Sequence, residues 1–142
     1  MTSSPYFDVC SYKVVSERTH AQATRVQAMV EVRIGSNCVR RSAMGIGPVH
    51  ALDLALRECL QSSFPELERV RLSDYQVSVV DAGQGTGAQV RVLIEASDGH
   101  RRWDAGCVGG NVVDASFEAL CSTLVMGIMH GRSQKRRSAL GV

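Results

Sequence analysis

With 142 residues the chain has the length of one ordinary domain and can bury one core, while a (β/α)8 barrel, which needs about 250 residues, is excluded. A hydrophobic share of 44% and a charged share of 21% exclude disordered and collagen-like chains. No uninterrupted apolar run approaches the ~20 residues of a membrane span, and the opening MTSSPYFDVC has neither the basic nor the apolar region of a secretory leader, so a cytoplasmic protein without membrane contact is expected. The net charge of +2 sits at one end: Arg132, Lys135, Arg136 and Arg137 all lie in the terminal GRSQKRRSALGV, and without them 12 basic residues face 14 acidic ones. Residues 131–142 are therefore expected to form a disordered basic tail, by the usual fate of termini. With only 5% aromatic residues and no basic stripe, nucleic acid is not an expected partner.

Taken in chain order, Phe7 to Ser16 reads as a strand, followed by a polar stretch from Glu17 to Gln22. Thr24 to Ile34 alternates apolar and polar residues, the period of a half-buried strand. Gly35-Ser36-Asn37 turns the chain, and Cys38 to Met44 returns as the second arm of a hairpin. Pro48 opens a helix, its fixed φ suited to the first helical position. Val49, Leu52, Ala55, Leu56, Cys59 and Leu60 give that helix one apolar face, and Ser62, Ser63 and Pro65 end it. Leu72 to Asp81 is the next strand, Ala82 to Gly87 a glycine-rich loop, and Ala88 to Ala96 a second alternating strand. Asp98-Gly99 is a hairpin signal, and His100 to Val108 returns. Asn111 caps a second helix, with Asp114 facing its bare N–H groups and Val113, Phe117, Leu120, Leu124 and Ile128 forming its apolar stripe.

The two halves superpose at an offset of 64 residues. Gly35 meets Gly99, Gly45 meets Gly109, His50 meets Asp114, and Leu56 meets Leu120; at one residue less, Tyr12-Lys13-Val14 meets Tyr75-Gln76-Val77. A strand, a turn, a glycine and a helix matching together define a β-β-β-α unit written twice. The expected fold is α+β, one domain over residues 6–130, with repeat 1 at about 6–65 and repeat 2 at about 70–130. Each repeat has one sheet face and one helix face to bury, so packing about a pseudo-two-fold axis is the economical arrangement.

Little in this inventory suits catalysis. Cys10, Cys38, Cys59, Cys107 and Cys121 form no C-x-x-C pair and read as small buried hydrophobes. The four histidines lack metal-ligand spacing, so no metal and no cofactor are expected. No serine lies in a nucleophile motif, and Gly83, Gly85 and Gly87 join two strands without the Lys-Ser/Thr ending of a phosphate loop. The helix starts are more informative. Gly45-Ile46-Gly47-Pro48-Val49-His50 and Gly109-Gly110-Asn111-Val112-Val113-Asp114 occupy symmetry-related positions. Free N–H groups there favour a carboxylate, Val49, Val112, Leu72 and Val79 offer an apolar pocket, and Asp114 suits an ammonium group. That combination fits a branched-chain amino acid, against plain capping and core packing as the simpler alternative.

At these residues the sequence resembles a known family. Gly45-Ile-Gly-Pro-Val-His-Ala-Leu-Asp-Leu-Ala-Leu, Leu72-Ser-Asp-Tyr-Gln-Val and Asn111-Val-Val-Asp-Ala-Ser116 look like the C-terminal regulatory (allosteric and dimerisation) domain of 2-isopropylmalate synthase and its relatives. Phe64-Pro-Glu-Leu and Arg91-Val-Leu-Ile-Glu-Ala-Ser-Asp-Gly most resemble the citramalate synthase branch. The resemblance implies a homodimer that binds leucine or isoleucine for feedback inhibition of an acetyl-CoA-dependent acyltransferase, the catalytic barrel being absent from this chain. It places effector binding on Val49, His50, Leu72, Tyr75, Val79, Ala88, Val112 and Asp114. Such a chain is not an enzyme by itself. It is either an excised regulatory domain or a stand-alone regulator of a separate catalytic synthase chain, and the alternative function is a dimerisation or partner-binding module that has lost its effector.

Overall fold

The computed structural model describes residues 3–140, which divide into two compact units between Ser63 and Phe64. In unit 1, β1 (Asp8–Glu17), β2 (Arg25–Ile34) and β3 (Asn37–Gly45) form an antiparallel sheet in the order β1-β2-β3, followed by α1 (Pro48–Leu60). Alternation along β2 puts Val26, Ala28, Val30 and Val32 on one face, all buried under Ala51, Leu52, Ala55 and Leu56 of α1. Gly47 caps α1 without a side-chain bond and Pro48 takes its first turn, as the proline predicts.

Unit 2 repeats the plan. β4 (Arg71–Val79), β5 (Val90–Ser97) and β6 (Arg102–Gly109) form the second antiparallel sheet in the order β4-β5-β6, and α2 (Val112–Ala139) lies over β5 and β6. Phe117, Leu120, Leu124 and Ile128 of α2 bury against Val92, Ile94, Ala96 and Trp103. Two β-β-β-α repeats are therefore present, with the boundary at Ser63/Phe64.

The first strand of each sheet, an edge strand, carries a bulge at the same point of the repeat, between Val9 and Ser11 in β1 and between Leu72 and Asp74 in β4. A bulge adds one residue to one strand, so it reverses which parity faces the helix. Leu72 pairs with Ala96, and beyond the bulge Tyr75, Val77 and Val79 pair with Ile94, Val92 and Val90, keeping all four on the helix-side face.

Two expectations are corrected. Cys59 and Cys121 are buried, but Cys10 and Cys38 are exposed and Cys107 is partly exposed. Cys10 is the bulge residue, and Cys38 lies opposite Arg33 on the face of the sheet away from α1. The segment 131–139, expected to be disordered, continues α2 to Ala139, while residues 141–142 lie outside the described residues. A 3-10 turn at Pro65–Arg69, absent from the sequence reading, explains why the helix continues. Gly127 and Gly131 bring α2 close to that turn: a Cβ on Gly127 would lie 2.7 Å from Val70 Cγ2, and one on Gly131 would lie 2.6 Å from Glu66 Cβ. Arg132 then pairs with Glu66 at 3.1 Å and covers the Phe64 ring. Among the described residues α2 is the one helix long and apolar enough to cross a membrane, and more than half of its apolar window is buried in unit 2, as in a core helix.

The β5–β6 turn yields a pH prediction. Gly99 adopts the left-handed conformation (φ 91°), and Asp98 accepts the N–H groups of His100 at 2.9 Å and Arg101 at 2.8 Å. Burial pushes the Asp98 carboxyl up, but the N–H groups of Arg101 and His100 outweigh it and hold it below its ordinary value of 3.8. A carboxyl lowered by folding adds stability above its unfolded value and loses that contribution as the pH falls through the folded one. Thermal unfolding at pH 6 and pH 3 is thus expected to show a smaller acid loss in Asp98→Asn than in the parent chain; equal losses would remove Asp98 from the account.

Candidate functional site

The helices cover their sheets unequally, and this creates the candidate site. Because α2 lies over β5 and β6, the helix-side face of the edge strand β4 is left partly open: Tyr75 is 45% exposed, Val77 42% and Val79 57%. These residues point the same way as the fully buried Val92 of the neighbouring strand, so their exposure follows from the missing helix cover rather than from their orientation. Leu72, half-buried, continues the strip at one end, and buried Ala88 lies just before β5.

The start of α2 borders this strip. Asn111 Oδ1 accepts the N–H groups of Val113 at 2.9 Å and Asp114 at 3.0 Å, fulfilling the cap read from the sequence. One turn on, Ser116 Oγ and the Tyr75 hydroxyl lie 2.8 Å apart in a hydrogen bond. Val112 is four residues before Ser116 and shares its helix face, and it is 43% exposed. Tyr75, Val112 and the β4 strip therefore belong to one neighbourhood.

Asp114 is placed differently. It lies two residues from Ser116, about 200° around an α-helix. Burial first, and then the charges of Glu118 and Asp114, push the Cys107 thiol of β6 up. The β4 strip and the Asp114 carboxylate thus flank the same helix start from opposite sides.

Val49 and His50 hold the corresponding places in unit 1. Val49 is half-buried and His50 exposed at the third position of α1. His50 Nδ1 accepts the N–H of Ile46 at 3.1 Å, which puts the proton of the neutral ring on Nε2. His50 thereby supplies a side-chain bond at the helix entry that the Gly47 cap lacks.

Sequence reasoning missed one residue of the strip, Val77, and its neighbour on α2, Ser116. Val77 shares the parity of Tyr75 and Val79, a signal available from alternation alone. Ser116 is a polar residue within the apolar face of α2, which the repeat alignment marks by pairing it with Leu52. A separate groove of about 420 Å3 runs between the Pro65–Arg69 turn, the Asp98–His100 turn and Gln134, Lys135 and Ser138 of α2; it contains charges of both signs and none of the candidate residues. Among the described residues, no three His, Cys, Asp or Glu side chains come together to hold a metal ion.

The family model described as the LeuA allosteric (dimerisation) domain matches residues 2–128. The chain belongs to this family. It is 41% identical to the (R)-citramalate synthase of Geobacter sulfurreducens over 124 residues, covering 87% of the chain and 24% of that protein. Against the (R)-citramalate synthase of Aquifex aeolicus it is 37% identical over 125 residues, with 87% and 24% covered. The Synechocystis (R)-citramalate synthase is 41% identical over 101 residues, covering 71% and 18%. The chain spans about a quarter of the length of the first two relatives. All eight effector residues expected from the sequence fall inside the LeuA domain match, whereas the helical end of α2 from residue 129 to Ala139 lies beyond it.

Proposed function

We propose that this LeuA domain is a homodimeric, cytoplasmic allosteric module that binds isoleucine or leucine as feedback effector for a citramalate synthase-type acyltransferase, and that it performs no catalysis by itself. The observation that carries the reading is the uncovered apolar strip of β4, Leu72, Tyr75 and Val79, running beside the capped start of α2. An aliphatic side chain seated there would remove apolar surface from water, worth about 25 cal/mol per Å2. Ala88 and Val112 complete the apolar wall. Asp114, across the α2 start from this strip, is left outside the apolar seat, and Val49 and His50 are the matching residues of the first repeat.

Feedback requires the effector to bind one state of the enzyme assembly more tightly than another. A site on exposed edge-strand side chains suits that role, because its shape depends on whatever packs beside the strand. Thermal unfolding of the chain with L-isoleucine, L-leucine and L-valine, and with their D-enantiomers, tests the reading. A rise in midpoint with L-isoleucine or L-leucine and none with the D-forms is expected; no rise with any of them favours the module that has lost its effector.

A further inference from the structure

We infer that Ser116 is a positioning residue for effector selectivity, acting by pinning the Tyr75 ring that forms the wall of the apolar seat. The inference rests on the effector reading above and adds a residue to it. Ser116 is fully buried, and a buried hydroxyl needs a partner. A helical serine can satisfy itself within its own helix, as Thr123 of the same helix does by donating to the Ala119 carbonyl at 2.8 Å. Ser116 instead bonds across to the edge strand, to the Tyr75 hydroxyl.

The fold does not require that bond. At the matching place of the first repeat stands Leu52, as fully buried as Ser116, so the same packed position accepts an apolar residue. Tyr75 is half-exposed, so burial alone does not hold its ring in place. What the bond does achieve is geometric. A tyrosine held at both its backbone and its hydroxyl has its two side-chain torsions fixed, so the ring becomes a rigid wall between Leu72 and Val79. A rigid wall discriminates between side chains that differ by one methylene; a mobile one yields to either.

Calorimetric titration of the full chain with isoleucine, leucine and valine, for the parent, Ser116→Ala, Tyr75→Phe and the double variant, tests this. Each single variant is expected to weaken binding of the preferred amino acid about fivefold, the size of one hydrogen bond, and to lower its preference over valine about threefold or more. The double variant is expected to match the worse single within about twofold, since all three lack the same bond. Unchanged selectivity in both single variants, or losses that multiply in the double variant, would overturn the inference while leaving effector binding intact. Absence of binding by the folded parent would overturn both. If Ser116→Ala does not fold, Tyr75→Phe, which removes the same bond from the half-exposed edge-strand residue, decides alone.

Discussion

Gly45→Ala is expected to destabilise the first repeat by about 2–3 kcal/mol, while Gly109→Ala, the same change at the matching place of the second repeat, is expected to cost less than about 1 kcal/mol. A Cβ on Gly45 would lie 2.5 Å from the Ala51 nitrogen and 2.8 Å from its Cα, both backbone atoms of α1. Relief requires α1 to move away from the end of β3, and Ala51 N–H makes the first helical bond, 3.0 Å to the Gly47 carbonyl. A Cβ on Gly109 would meet only the Ala115 Cβ at 3.8 Å, an ordinary van der Waals contact. Urea unfolding of the two variants checks this. Equal losses would mean that the close approach of α1 to β3 is not what holds Gly45 in place.

Val79→Asp is expected to abolish amino-acid binding, a loss of about 100-fold or more, with little change in stability. Val79 is 57% exposed, so its carboxylate variant remains hydrated in the unliganded chain. A bound aliphatic side chain would cover that carboxylate without a partner, and desolvating an unpaired charge costs several kcal/mol. Thermal unfolding and calorimetry on the same sample separate the two properties. Retained affinity would move the effector away from the β4 strip.

Much of this was legible in the sequence because the repeat is written in side chains that pack locally. Alternation along β2 and β5, Pro48 at the start of α1, and Asn111 as cap of α2 each follow from backbone geometry and neighbouring residues alone. The bulges were harder to read, since a shift of parity between Leu72 and Tyr75 looks like noise until the pairing with Ala96 and Ile94 is seen. The exposure of Cys10 follows from one of these bulges, and alternation without register cannot reveal it. The fate of residues 131–139 turned on tertiary packing: the charge run suggested a solvated end, but Gly127 and Gly131 admit the Pro65–Arg69 turn against α2, and Arg132 closes over it onto Glu66 and Phe64.

For the candidate site, residue types were readable but grouping was not. Tyr75, Val79 and Val112 fall together because α2 leaves β4 uncovered, which no local pattern encodes. Asp114 falls on the opposite side of the helix start from Ser116, and that angular relation becomes meaningful only once the helix is set on its sheet. Ser116 is a polar break in an apolar stripe, and only the distance to Tyr75 shows its partner.

The central claim is that the chain binds a branched-chain amino acid on the open face of β4. Its most direct measurement is isothermal titration of the folded chain with isoleucine and leucine, run beside Val79→Asp. The account predicts saturable heat with at least one of the two amino acids and none with the variant. Absence of heat from both amino acids in the folded parent chain, or identical heat in the variant, would contradict it.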